Sequence, residues 1–196
     1  MKYLIMTFTA LALMIWAWAE FFRAIPNLEE AGVLKNFQVQ SKEPFTATFS
    51  VLDKRYYRAG HSFVHPSAPV RGGFQHLEYL SNIDLLLSPS EQVSAIKAQV
   101  EWEQDKRCFN LSARAGTHVD LDKISAQLLS LSIIAKNEDV ANQLRRIKAG
   151  QTIELQGHWA LVQSAKTSAS FLAALGHVYS ARCQLFVLNN VRVIAQ

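Results

Sequence analysis

The chain has 196 residues with a formal net charge of +4, 49% hydrophobic and 18% charged, the balance of a globular domain with an additional apolar segment and not of a disordered chain. It contains no run of five or more Lys/Arg, so no nucleic-acid partner is expected. Two cysteines, Cys108 and Cys183, are too few for a scaffold built on disulfides.

Tyr3 to Ala19 carries no charge; Lys2 precedes it, and Glu20, Phe21, Phe22 and Arg23 follow. The run reaches the roughly 20 residues of a membrane span when extended through Phe22. Trp16, Trp18, Phe21 and Phe22 suit an aromatic belt at the interface, and Lys2 places the N-terminus on the cytoplasmic side. The reading is a single-pass anchor over 1–24 in a bacterial inner membrane, with the rest periplasmic. The alternative is a signal peptide cut after Ala17-Trp18-Ala19, which leaves a soluble periplasmic protein. Residues 25–44 read as a stalk, with Asn27 able to cap a short helical piece. Residues 45–196 read as the extracytoplasmic domain.

Phe45 to Val51 alternates apolar and polar and predicts a half-buried strand, extending towards Tyr56 and Tyr57. Arg58 to Gly73 is rich in Gly and Pro and predicts a loop. Leu77, Leu80, Ile83 and Leu87 recur at helical spacing, so a helix is predicted over Phe74–Leu87. Ser88, Pro89 and Glu91 mark a second helix start, with Val93, Ile96 and Val100 inward. Val100–Glu103 and Arg107–Ala113 predict strands around the turn Gln104-Asp105-Lys106.

A short helix or turn near Asp120 and a strand over Leu128–Ala135 follow. Asn137 then caps a helix whose acidic first turn (Glu138, Asp139), basic last turns (Arg145, Arg146, Lys148) and terminal Gly150 all complement the helix dipole. Ile153, Leu155, Gly157, Trp159 and Leu161 share one face of a further strand, where Gly157 indicates a bend or the close approach of another backbone. Ser164–Ser170 predicts a hairpin loop. Arg182–Ile194 predicts the last strand, with a turn or bulge at Asn189-Asn190.

The elements alternate irregularly, which disfavours a doubly wound sheet. The fold class expected is α+β: an N-terminal transmembrane or signal helix, then a mainly antiparallel sheet or small, partly open barrel with two or three helices. The C-terminal third, through Ile147-Lys148-Ala149-Gly150, the strand Leu155 to Val162, and Ala181 to Val187, resembles uncharacterised bacterial envelope proteins with one N-terminal hydrophobic segment and a small extracytoplasmic α+β domain. That resemblance implies topology and no chemistry.

Candidate sites are sparse. His61 and His65 stand four apart, with His76 nearby, but Gly60 and Pro66 break the helix that such a metal pair uses, and no HExxH occurs; no metal and no cofactor is expected. Cys108 and Cys183 fall in predicted strands of an exported domain, where a disulfide is chemically allowed; two buried thiols are the alternative. His118 and Asp120 lack a nucleophile-elbow partner, so no catalytic group is assigned. Trp102, Trp159, Tyr56, Tyr57 and Phe186 read as core or groove. Tyr56 and Tyr57, with His61 and His65 in the adjoining loop, are the candidate interaction surface. The function expected is a non-enzymatic, membrane-tethered periplasmic subunit of an envelope assembly of the secretion, conjugation or pilus type, with other envelope proteins as partners. A soluble solute- or metal-binding periplasmic module is the alternative.

Overall fold

A computed structural model describes residues 2–21, 24–35, 37–57, 77–105, 107–164, 170–171 and 183–195. The first element, α1, runs Lys2–Phe21. Leu4, Ile5, Met6, Phe8, Leu11, Leu13, Met14 and Ile15 along it are 51–68% exposed. Among the described residues no helix is long and apolar enough to cross a membrane.

The rest is α+β with a mostly antiparallel sheet. Its strands are β1 (Phe37–Tyr56), β2 (Ile83–Ser88), β5 (Leu129–Ala135), β6 (Thr152–Ser164), β7 (Ser170–Phe171) and β8 (Cys183–Ala195). The order is β1-β2-β5-β8-β6-β7, and β1 also pairs with β6. That last ladder turns five strands into a closed ring. β5 and β8 are parallel; the other ladders are antiparallel. The long β1 makes closure possible: its first part, Phe37–Ser50, pairs with β6, and its second, Ser50–Tyr56, with β2 after an irregularity between Val51 and Asp53. The result is a small, closed five-stranded barrel, where the sequence suggested a mainly antiparallel sheet or a small, partly open barrel.

Val51, Ile83, Leu85, Leu87, Leu131, Ile133, Ile153, Leu155, Phe186 and Leu188 fill the barrel. One end is closed by α4 (Glu138–Arg146), which contributes Val140, Ala141 and Leu144 to the same core. Asn137 caps it, its Oδ1 accepting from the Val140 N–H at 3.0 Å. At its other end, the Lys54 ammonium donates to the carbonyls of Leu144, Arg145 and Ile147, each at 2.9 Å. A cation at that pole opposes the helix dipole and satisfies orphan carbonyls.

Between β2 and β5 the chain inserts α2 (Val93–Gln99), the strands β3 (Val100–Asp105) and β4 (Cys108–Ala113), and α3 (Leu121–Ser125). β3 and β4 form a separate two-stranded sheet. This hairpin covers the outer face of the barrel through Leu52, Leu86, Ile96, Val100, Phe109 and Leu128. A third cluster, with Val33, Phe37, Leu77, Leu80, Ile134 and Leu185, lies outside the barrel wall beside it.

Two expectations change. Residues 25–44 are not a spacer: Ile25 joins the barrel core, Asn27 bridges to Ala135, and β1 already begins at Phe37. Within Phe74–Leu87 there is no α-helix among the described residues. A short 3-10 turn, Leu77–Tyr79, leads instead to β2, which is buried on both faces. An element covered on both sides shows an unbroken apolar run, and such a run does not distinguish strand from helix.

Candidate functional site

The outer face of β2 holds the most unusual chemistry described. Ile83, Leu85 and Leu87 point into the barrel, so Asp84, at the alternating position, points out, yet it is fully buried beneath the hairpin. Arg107, in the turn between β3 and β4, meets it. Its Nη1 donates to Asp84 Oδ1 at 3.0 Å and its Nη2 to the Ser81 carbonyl at 2.6 Å. The guanidinium lies 3.8 Å from the centroid of the Tyr57 ring, a stacked cation–π arrangement. Arg107 adopts a positive φ of 68°, an uncommon conformation for a residue with a side chain.

Among the described residues, Ser81 Oγ, Asn82 Oδ1 and the hydroxyls of Ser130 and Ser132 are buried around this knot with no hydrogen-bond partner, while the Tyr57 hydroxyl and the Asp84 carboxylate interact short of a well-formed hydrogen bond. Ser132 lies opposite Asp84 in the β2–β5 ladder. Burial, first, and the Asp84 charge, second, push the Tyr57 hydroxyl well above the ordinary tyrosine range, with Arg107 acting in the opposite direction.

The residue after Arg107 is Cys108, which is disulfide-bonded to Cys183 at the start of β8, with the α carbons 5.3 Å apart, inside the usual range of separations for a bridge. The bond ties the tip of the hairpin to the barrel wall. Cys183 sits beside Ser130 of β5, so covalent tie and polar knot share one face.

Of the candidate interaction residues, Tyr57 is buried in this knot, whereas Tyr56 is half-buried with Lys54 Nζ 4.8 Å from its ring centroid. His61, His65 and His76 lie outside the described residues, as does the loop 58–73. Among the described residues no group of three or more His, Cys, Asp or Glu is placed to hold a metal ion. Asp120 is occupied as the cap of α3, accepting from the Lys123 N–H at 3.0 Å, and His118 is exposed. Trp159 and Phe186 pack into one aromatic group with Phe45, at centroid distances of 4.7–6.1 Å.

A concavity of about 510 Å³ lies between the segment after α1 and α4, lined by Asn27, Glu29, Glu30, Glu138, Asn142 and Arg145 among others. It is a predominantly acidic surface groove.

Sequence reading missed Asp84 and Arg107. Their signal was present: Ile83-Asp84-Leu85-Leu86-Leu87 sets one carboxylate inside an apolar run, and a carboxylate there requires a buried cation. The chain matches no known protein family and no curated protein.

Proposed function

We propose that the chain is a non-enzymatic, membrane-tethered protein that carries a compact binding barrel on the outer side of a bacterial inner membrane, where it acts as an accessory subunit of an envelope assembly. The observation that carries the reading is α1. Eight large apolar side chains, from Leu4 to Ile15, are more than half exposed along it. Each would gain about 1.5–3 kcal/mol on leaving water, so the helix calls for an apolar surrounding that the barrel does not supply. No described helix is long and apolar enough to cross a membrane, but the uncharged run Tyr3–Ala19 supports a bilayer as that surrounding, with the segment acting as a signal anchor entered from the Lys2 side.

The disulfide between Cys108 and Cys183 is compatible with an oxidising compartment. OB barrels bind oligonucleotides on the face of their second and third strands. Here the second and third strands of the barrel are β2 and β5, their outer face is covered by the disulfide-tied hairpin, and the net charge is only +4. Both argue for protein partners over nucleic acid. The site chemistry points the same way. Asp84, Arg107 and Tyr57 form a buried ion pair stacked on an aromatic ring, an arrangement that holds the hairpin on the barrel.

The test is an intact mass, taken without reductant, of the full chain recovered from membrane and soluble fractions after an alkaline wash. The expected result is a full-length mass in the washed membrane. A soluble species beginning at Glu20 removes the tether and returns the chain to a free periplasmic module.

A further inference from the structure

We infer that Tyr57, Ser81 and Asp84 form a guanidinium receptor on the barrel, filled in cis by Arg107 and able to take the arginine side chain of a partner in its place. The three receptor groups all belong to the barrel side: Tyr57 follows β1, and Ser81 and Asp84 lie at the start of β2. Together they offer what a guanidinium needs: an aromatic face at 3.8 Å, a carboxylate at 3.0 Å and a carbonyl at 2.6 Å. The occupant comes from a separate two-stranded sheet.

The fit of that occupant is incomplete. Arg107 reaches only one oxygen of Asp84; among the described residues Oδ2 and the neighbouring Ser81 Oγ make no well-formed hydrogen bond, both in residues more than nine-tenths buried. It also enters from a backbone with φ of 68°. A guanidinium on an unconstrained chain can turn its planar fork to engage both carboxylate oxygens, so the receptor has unused capacity for a guest from outside. Arginine is the side chain matched to it; an ammonium lacks both the fork and the plane that stacks on Tyr57.

The neighbouring bond decides access. While Cys108 and Cys183 are joined, Arg107 is held in place and the site is self-occupied. A dithiol reductant converts the bond to two thiols, delivering two electrons and two protons as it closes to its own disulfide; the tip can then swing away and expose the receptor. The receptor itself stands independently of the tethered-subunit reading, and only the guest's identity as a partner protein's arginine rests on that reading.

The experiment uses the full chain with Arg107→Gly, because glycine adopts a positive φ freely, with the Cys108–Cys183 bond reduced by a dithiol so that the tip can move off the site. The probe is N-acetylarginine amide, with its lysine and citrulline counterparts as controls. We expect the arginine compound to raise the melting temperature of R107G saturably, by mass action, and to perturb Tyr57 fluorescence. Wild-type oxidised protein should not respond. Lysine should act at least tenfold more weakly, citrulline not at all, and Asp84→Asn in the R107G chain should abolish the response. An unmoved melting temperature, an equal response to citrulline, or an unchanged response with D84N overturns the proposal. If R107G does not fold alone, recovery of native fluorescence on refolding with the arginine compound, and not with the citrulline one, supports the receptor; no recovery with either refutes it. The site is read out here without a membrane, so its failure leaves the tether to its own test.

Discussion

The ring of Phe186 stands where a side chain at Gly157 would go. A β carbon built on Gly157 collides with that ring and with the backbone carbonyl of Val187. Gly157 also adjoins the irregularity at which Gln156 pairs with Asn190 and Gly157 with Leu188. The ring can shift only by disturbing Trp159, 5.3 Å away, and the carbonyl cannot shift without moving β8. Gly157→Ala is therefore expected to cost about 3 kcal/mol, at the upper end for overpacking. Urea denaturation measures it, and a loss below about 1 kcal/mol would show that the barrel wall yields more easily than a packed interior should.

Lys54 should matter well beyond its charge. Lys54→Met keeps the alkyl stem and removes the donor to three carbonyls at the end of α4. A loss of about 1–2 kcal/mol is expected, from charge-assisted hydrogen bonds and the helix dipole together. Amide exchange should quicken in the last turn of α4 and not in β2. Uniform quickening would mean that Lys54 acts on the whole barrel.

Replacing both Cys108 and Cys183 by serine opens a closed loop of 75 residues. Restoring that chain freedom to the unfolded state costs about 4–5 kcal/mol of stability in the chain-entropy model, and often less in practice. The readout is the denaturation midpoint of the variant beside the oxidised wild type. Since the bond joins hairpin to barrel, exchange protection should fall first across β3 and β4. Unchanged protection there would show that the apolar contacts of Val100 and Phe109 hold the hairpin unaided.

Tyr57 makes stability depend on alkaline pH. Its hydroxyl ionises well above the ordinary range in the native chain and near 10 once unfolded. Between those values the native state keeps a proton that the unfolded state has lost, so stability is fully present below about pH 10 and falls as pH rises, by at most about 1.4 kcal/mol per unit for one group. Tyr57→Phe should flatten this decline between pH 9 and 11. Parallel curves for variant and wild type in urea would remove Tyr57 as its cause.

The elements most legible from sequence were those whose local signals agree. Asn137, the acidic first turn, the basic last turn and Gly150 defined α4, and the structure ends the helix only slightly early, at Arg146, where Lys54 caps it. The β3–β4 hairpin and β5 were close to their expected bounds. What failed did so through tertiary context. β2 looks helical because both of its faces are covered, and 25–44 looks like a spacer because its few anchors, Ile25, Val33 and Phe37, are widely spaced among polar residues. Only half of the receptor was legible: Asp84 stands alone inside an apolar run, but Arg107 is 23 residues away, and nothing local announces that a turn will fold back onto a strand.

The burial of Ile25 has a mechanical consequence. Only the short stretch from Phe21 to Ile25 separates the end of α1 from the barrel core, and four residues reach at most about 14 Å. Whatever grips the helix therefore holds the barrel on a short leash, unable to search a wide volume as a domain on a flexible arm does. Lengthening that joint would enlarge the barrel's range of motion at the expense of its effective concentration beside a neighbour held in the same plane.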